Sequence, residues 1–397
     1  VKGKQEAIDI VERYGHGGDP WTAGELFQRE ARDFIDFSAN INPLGPPTEV
    51  LRVLQEAVTE VGVPGLARYP DPANRALKKA LAESVNVSES FLLIGNGAAE
   101  LIDGVTRYVQ PRKVGVTAPA FLEYERCACK EKAEVIYLPA GEKEGFLPEE
   151  AALIEWIHAV DLAWLGHPNN PTGLLMPLSF LEIAAKEAAK SGTILVVDEA
   201  FLDFIPDGER RSLLPRIKEF PTTILLRSMT KFYALPGLRL GFGVAEPGLV
   251  EGISAMQVPW SVNGLAQRAG EAALVTSDFA NATWKWLQEE RSFLLEGLKG
   301  LLLIEWVIGA VNYLLIKLKD SPGIQSPPSR WLQQRLGERG ILIRDASGYP
   351  GLDGSYIRIA VRSREENAYL LTQLQAIEEE LQKGLEGVDR CKEGGGT

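Results

Sequence analysis

The sequence predicts an α/β protein with a mainly parallel sheet in a large domain and a second, smaller α/β domain. From residue 46 to Gly264, helical patterns alternate with short apolar runs, at residues 114–117, 134–138, 162–165, 194–197, 223–226 and 240–244. That alternation is the pattern of βαβ units. Two of the runs lead into chemically loaded segments, Asp198-Glu-Ala and Ser228-Met-Thr-Lys231. Open α/β sheets bind their ligands at the carboxyl ends of strands. At 397 residues the chain is also long enough to divide into two domains.

Taken in order, residues 1–45 read as an amphipathic start and a loop-rich arm that ends in Asn40-Ile-Asn-Pro-Leu-Gly-Pro-Pro47. The arm is assigned to the small domain and residues 46–264 to the large one. Residues 265–301 form a long helical pattern whose Trp284, Trp286 and Phe293 fit a packed face. Runs at 307–318, 341–344 and 356–361 supply the strands of the small domain, 265–385, which a helix over 365–384 closes. The polar, glycine-rich residues 386–397 are expected to be a disordered tail. No internal repeat is evident.

Composition narrows the function. Hydrophobic and charged shares of 45% and 24% are ordinary for a globular protein. A net charge of −12 argues against non-specific nucleic-acid binding, and it requires any anionic substrate to be met by a local arginine cluster. No apolar run is long enough to span a bilayer and no signal peptide opens the sequence; the first residue, Val1, suggests a processed start or an alternative initiation codon. Three cysteines make no disulfide framework, so a reducing, cytoplasmic setting is expected. Cys127 and Cys129 are expected to be buried as small apolar residues, Cys391 lies in the tail, and with three histidines no metal site is expected.

Ser228-Met-Thr-Lys231, followed by Pro236-Gly-Leu-Arg239, places a lysine, two hydroxyls and an arginine at the end of a buried strand. Lys231 can condense with an aldehyde, while Ser228, Thr230 and Arg239 can hold a phosphate. That combination suits pyridoxal 5′-phosphate (PLP), which needs a lysine and a partner for its ring nitrogen. Asp198, after five mostly β-branched residues, is suited to that partner role, because a nearby carboxylate favours the protonated ring. Alone it could equally cap the next helix; beside Lys231 the cofactor role is favoured. His167-Pro-Asn-Asn170-Pro-Thr-Gly173 reads as a tight loop, from which the Asn170 amide can donate to the phenolic oxygen of the cofactor. Gly95-Asn-Gly97-Ala98 opens a helical pattern, and the free amides of such a turn form an anion site. Arg344 and Arg358 lie in adjacent apolar runs that can bring two guanidinium forks onto one wall, suited to carboxylate and phosphate.

In this order the motifs resemble the fold-type-I PLP enzymes, the aspartate-aminotransferase superfamily, from about His16 to about Asn367. His16-Gly-Gly18, Asp36-Phe-Ser-Ala-Asn40, Asp198-Glu-Ala-Phe201, Pro259-Trp-Ser-Val-Asn263 and Gly340-Ile-Leu-Ile-Arg344 are more closely similar to the threonine-phosphate decarboxylases of cobalamin synthesis. The resemblance implies decarboxylation of L-threonine O-3-phosphate to (R)-1-amino-2-propanol O-2-phosphate. Histidinol-phosphate aminotransferase is the alternative, although those enzymes usually carry Tyr where this chain has Phe201 and lack the His-Gly-Gly opening. The same resemblance implies that Gly97, Ala98, Phe121, Asn170, Asp198, Ser228, Thr230, Lys231 and Arg239 contact the cofactor. Phe121 would stack on its ring. Tyr69, in Tyr69-Pro-Asp71, would reach the cofactor phosphate of a neighbouring subunit, implying a homodimer with shared sites. His16, Gly17, Asn40, Asn170, Arg344 and Arg358 are implied to bind a small phosphorylated amino acid, with Arg362 left to solvent.

Overall fold

The computed structural model describes residues 11, 15–59, 66–320, 323–324 and 327–393. The chain forms two compact units, residues 41–286 and residues 1–40 with 287–397. The first strand, β1 (Ile35–Asp36), belongs to the second of these.

Residues 41–286 are built on a seven-stranded sheet. Its strands are β2 (Leu92–Gly95), β3 (Lys113–Ala118), β4 (Glu134–Pro139), β5 (Leu162–Gly166), β6 (Ile194–Asp198), β7 (Thr223–Ser228) and β8 (Gly241–Val244). They lie in the order β2-β8-β7-β6-β5-β3-β4. β8 runs antiparallel to both neighbours, while the other pairings are parallel. Strands β5 and β7 are buried at every position, as expected where helices cover both faces. One core layer includes Leu165, Val197 and Leu225, and the other includes Trp164, Val196 and Ile224. Successive strand residues therefore feed opposite sides of the sheet.

The antiparallel β8 brings distant motifs together. Its first residue, Gly241, pairs with Gly95 on one side and Ser228 on the other. A side chain at Gly241 would put its Cβ 2.5 Å from the Ala98 nitrogen and 3.0 Å from the Arg227 carbonyl oxygen. Only a glycine lets the strand pass between the 95–98 turn and the end of β7.

The other unit contains β9 (Ile304–Ile308), β10 (Tyr313–Leu318), β11 (Ile341–Leu342), β12 (Arg344–Asp345) and β13 (Tyr356–Ala360). Four of them form a sheet in the order β12-β13-β10-β9, and β1 pairs in parallel with β11. The arm joins this unit through backbone bonds from Phe37 to Leu342 and from Ala360 to Phe37.

Several boundaries differ from those read in the sequence. The division falls after Trp286 rather than at Gly264. The helix Gly264–Leu274 packs through Ala266, Ala269 and Gly270 in the core of the large unit, with Gly270 against Leu77 and Leu240. The long helical pattern is two helices, the second being Ser277–Lys299. Its buried face is Thr283, Leu287, Glu290, Leu294 and Leu298, and its tryptophans are only half-buried. The last helix runs Arg364–Glu393, so most of the expected tail is helical: Gly384 lowers helix propensity without forcing a stop. Residues 394–397 and the side chain of Cys391 lie outside the described residues. Cys127 is buried, whereas Cys129 is exposed, because its helix turns that position outward.

Gly241→Ala is expected to lower the stability of the protein by about 1–3 kcal/mol, the usual cost of overpacking a rigid site. Chemical denaturation of both proteins measures it; equal midpoints would mean that the close approach is not constraining.

Candidate active site

The carboxyl edge of the large sheet collects the ends of β2, β3, β5, β6 and β7 and the start of β8. Asp198, the last residue of β6, is 7% exposed. Its Oδ2 accepts a 2.6 Å hydrogen bond from the Tyr124 hydroxyl, and its Oδ1 accepts from the Ala200 amide at 3.0 Å. Burial pushes the Asp198 carboxyl above its ordinary range, opposed by those two donors and by the charge of Lys231. Lys231 itself is half-buried on the short helix Met229–Phe232 that follows β7. Its carbonyl accepts from the Asn42 amide at 3.1 Å, and the Asn42 side chain donates to Phe232 O and Thr283 Oγ1.

Ser228 caps that helix, with its hydroxyl 2.8 Å from that of Thr230, and both residues are buried. Arg239 adopts a left-handed backbone with φ 58°. Its Nη2 lies 2.7 Å from where a Cβ on Gly97 would stand. Gly97, with φ 81°, starts the helix Ala98–Val109. A guanidinium, two hydroxyls and a helix N-terminus thus come from three segments of the chain, joined through β8.

Phe121 is half-buried ahead of the helix Leu122–Lys130 and meets the Tyr124 ring edge-on at 5.6 Å. Tyr124 stacks on Trp164 at 4.8 Å with planes 8° apart. Asn170 is half-buried in the loop after β5. Its neighbour Asn169 donates to the Pro119 carbonyl at 2.9 Å, tying this loop to the one that carries Phe121. His167 anchors the same loop: Nδ1 accepts from the Met176 amide at 3.1 Å, so Nε2 carries the proton and donates to the Arg211 carbonyl at 3.0 Å. Burial lowers the His167 pKa to about 4. Tyr69 is 80% exposed, its ring 4.9 Å from that of Trp260.

In the unit formed by residues 1–40 and 287–397, Arg344 on β12 pairs directly across the ladder with Arg358 on β13. Both are buried. Arg344 donates from Nη2 to the Gly15 carbonyl at 2.8 Å and lies over the Tyr349 ring. Arg358 donates to the Ser38 carbonyl at 2.7 Å and to the Tyr349 hydroxyl at 3.3 Å. His16 is exposed. Gly17 approaches Ser38 so closely that a Cβ would stand 2.3 Å from the Ser38 carbonyl oxygen. Asn40 is 4% exposed; its carbonyl accepts from Asn312 at 2.9 Å, and its buried Oδ1 has no hydrogen-bond partner among the described residues. Arg362 is half-buried, ion-paired with Glu366 at 2.7 Å and bonded to the Asp36 carbonyl.

Tyr124 and Asn42 escaped the sequence reading as contacts of Asp198 and Lys231. Tyr124 sits in an ordinary helical pattern 74 residues from its partner, and only the pairing of β3 through β5 to β6 brings it there. Among the described residues no cluster of three His, Cys, Asp or Glu side chains could hold a metal ion, and no helix is long and apolar enough to cross a membrane.

The residues at the sheet edge fit PLP: Asp198 is a buried carboxylate for a cationic ring nitrogen, Lys231 lies within its electrostatic reach, and Gly97 leaves an open cradle beside Arg239. The fold and this edge define a PLP-type transferase architecture. The model of the family "Aminotransferase class I and II" matches residues 32–374, and the chain belongs to that family. It is similar to the threonine-phosphate decarboxylase of Salmonella typhimurium, 38% identical over 91% of this chain and 96% of that protein. Among solved structures it resembles the L-threonine-O-3-phosphate decarboxylase of Porphyromonas gingivalis, with 26% identity, a TM-score of 0.73 and coverage of 86% of this chain and 99% of that one. The histidinol-phosphate aminotransferase of Clostridium acetobutylicum is 29% identical with a TM-score of 0.79, covering 87% and 99%.

His167 makes acid stability a test of this geometry. Between its ordinary value of 6.5 and about 4, the unfolded chain takes up a proton that the folded chain excludes. Stability therefore falls as pH drops through that window, by about 3 kcal/mol from this group. His167→Gln, which can keep both hydrogen bonds, should lose that increment in denaturation curves across the window; an unchanged pH profile would contradict the assignment.

Proposed function

We propose that this chain is a PLP-dependent carboxy-lyase that converts L-threonine O-3-phosphate to (R)-1-amino-2-propanol O-2-phosphate and CO₂ in cobalamin biosynthesis. The reaction follows the likeness to the Salmonella decarboxylase, 38% identical over 91% of this chain. The observation that carries the substrate class is the Arg344–Arg358 pair. Two buried guanidinium groups stand in direct register on adjacent strands, an arrangement suited to a ligand with two anionic ends. Threonine phosphate brings a carboxylate and a phosphate, which guanidinium forks bind with paired hydrogen bonds.

PLP, when bound, supplies a cationic aromatic ring able to accept the electron pair left by the departing carboxylate. Lys231 provides the amine for covalent attachment. Asp198 holds the proton on the ring nitrogen, and Tyr124 holds Asp198. Asn170 donates to the phenolic oxygen, and Phe121 covers the ring face. Gly97, Ala98, Ser228, Thr230 and Arg239 take the cofactor phosphate. Arg344, Arg358, His16, Gly17 and Asn40 would hold the two anionic ends of the substrate. Once CO₂ has left, Lys231 Nζ returns a proton to Cα.

Phe201 is buried and carries no hydroxyl, so it cannot donate to the phenolic oxygen as a tyrosine would. The exposed Tyr69, beside Trp260, supports a homodimer in which it serves the partner's cofactor phosphate. A cytoplasmic setting accompanies this reading.

Incubating the enzyme with threonine phosphate should release CO₂ and the aminopropanol phosphate, and Lys231→Ala should abolish both turnover and the visible absorbance of bound PLP. A keto product from histidinol phosphate, dependent on 2-oxoglutarate, with no CO₂ from threonine phosphate, would assign the chain to the aminotransferases instead.

A further inference from the structure

A second polar cluster adjoins the ends of β6 and β7 and has no part in the chemistry above. Side chains alternate across a strand, so Glu199 and Arg227, the neighbours of Asp198 and Ser228, project away from the Asp198 face. The backbone ladder continues this far, with the Glu199 amide donating to the Leu226 carbonyl at 2.8 Å. The Arg227 side chain is 5% exposed and that of Glu199 is fully buried. Arg227 Nε donates to Glu199 Oε2 at 2.8 Å, and Nη1 donates to Glu209 Oε1 at 2.8 Å and to Asp203 Oδ1 at 3.3 Å. The other Glu199 oxygen accepts from Ser212 Oγ at 2.6 Å. The segment that supplies Asp203, Glu209 and Ser212 also presents the Arg211 carbonyl to His167, the anchor of the Asn170 loop.

One guanidinium therefore ties together the strand that ends in Asp198, the strand that leads to Lys231, and the segment against which the Asn170 loop rests. We propose that Arg227 is a positioning residue: its fork fixes the lateral spacing of the β6 and β7 ends and thereby the separation of Asp198 from Lys231. The inference rests on the cofactor reading above. A lysine at this position keeps the charge but cannot hold Glu199 and Glu209 in one planar geometry. The same cluster would serve only stability if the strand ends kept their spacing without it.

The double variant Glu199→Gln/Arg227→Met separates the two roles, since it removes both fully buried charges together; Asp203 and Glu209, which also lose their cation, have side chains 28% and 59% exposed and so reach solvent. Its melting temperature without cofactor reads the structural role. The dissociation constant for PLP, from equilibrium dialysis and cofactor absorbance, reads the positioning. A melting temperature close to wild type with PLP binding weakened by about tenfold or more is expected, because small misplacements at a reacting centre are costly. PLP affinity within about twofold of wild type in the folded double variant would overturn the proposal. Should the double variant fail to fold, Arg227→Lys decides: weaker PLP binding at an unchanged melting temperature supports positioning, and unchanged binding refutes it. Wild-type protein that binds no PLP would sink the cofactor reading itself, an outcome distinct from equal binding by wild type and variant.

Discussion

A carboxylate shut away from water at the edge of a parallel sheet is expensive, and the large unit is arranged around making one tolerable. Asp198 has lost nearly all its hydration. Tyr124, the Ala200 amide and the nearby Lys231 each offset part of that loss. A buried acid with a raised affinity for protons, set opposite a cationic nitrogen, gains back what burial removed. On the proposed reading, the group most hostile to folding in this region is the one whose cost a protonated ring would relieve. Strain of this kind is expected where structure serves chemistry rather than stability.

Strand order then does the rest. Segments separated by more than a hundred residues, the 95–98 turn and the 228–231 helix, meet because β8 lies between β2 and β7 and is antiparallel to both. Reversing β8 puts its first residue, not its last, at the same edge as the carboxyl ends of its neighbours. Arg239, just ahead of that strand, is delivered onto Gly97. Asp198 and Ser228 end strands, whereas Asn170 and Lys231 sit in a loop and a single-turn helix.

The fold class was legible because sheet strands read as short apolar runs between helical patterns, and six of the seven strands of the large sheet stand out in that way. β2 did not, since the apolar run Leu92–Gly95 is indistinguishable by period from a piece of helix. The placement of Asp198 and Lys231 at the ends of two such runs, and of Arg344 and Arg358 on neighbouring strands, was legible from residue type and position. Tyr124 and Asn42 were not, for their partners lie 74 and 190 residues away and nothing local marks them. The domain boundary was misplaced for a related reason: Gly264 looks like a break, but the apolar face of the following helix is completed by residues from the large unit. Local pattern reports elements well and reports which elements share a core poorly.

The protonation of the cofactor nitrogen is the point on which the whole account turns. Nitrogen-15 NMR of the holoenzyme reconstituted with ring-labelled PLP reads it directly. Wild type is expected to show a protonated nitrogen, and Asp198→Ala to lose that proton. An unprotonated nitrogen in wild type, or a protonated one that survives removal of the carboxylate, would contradict it.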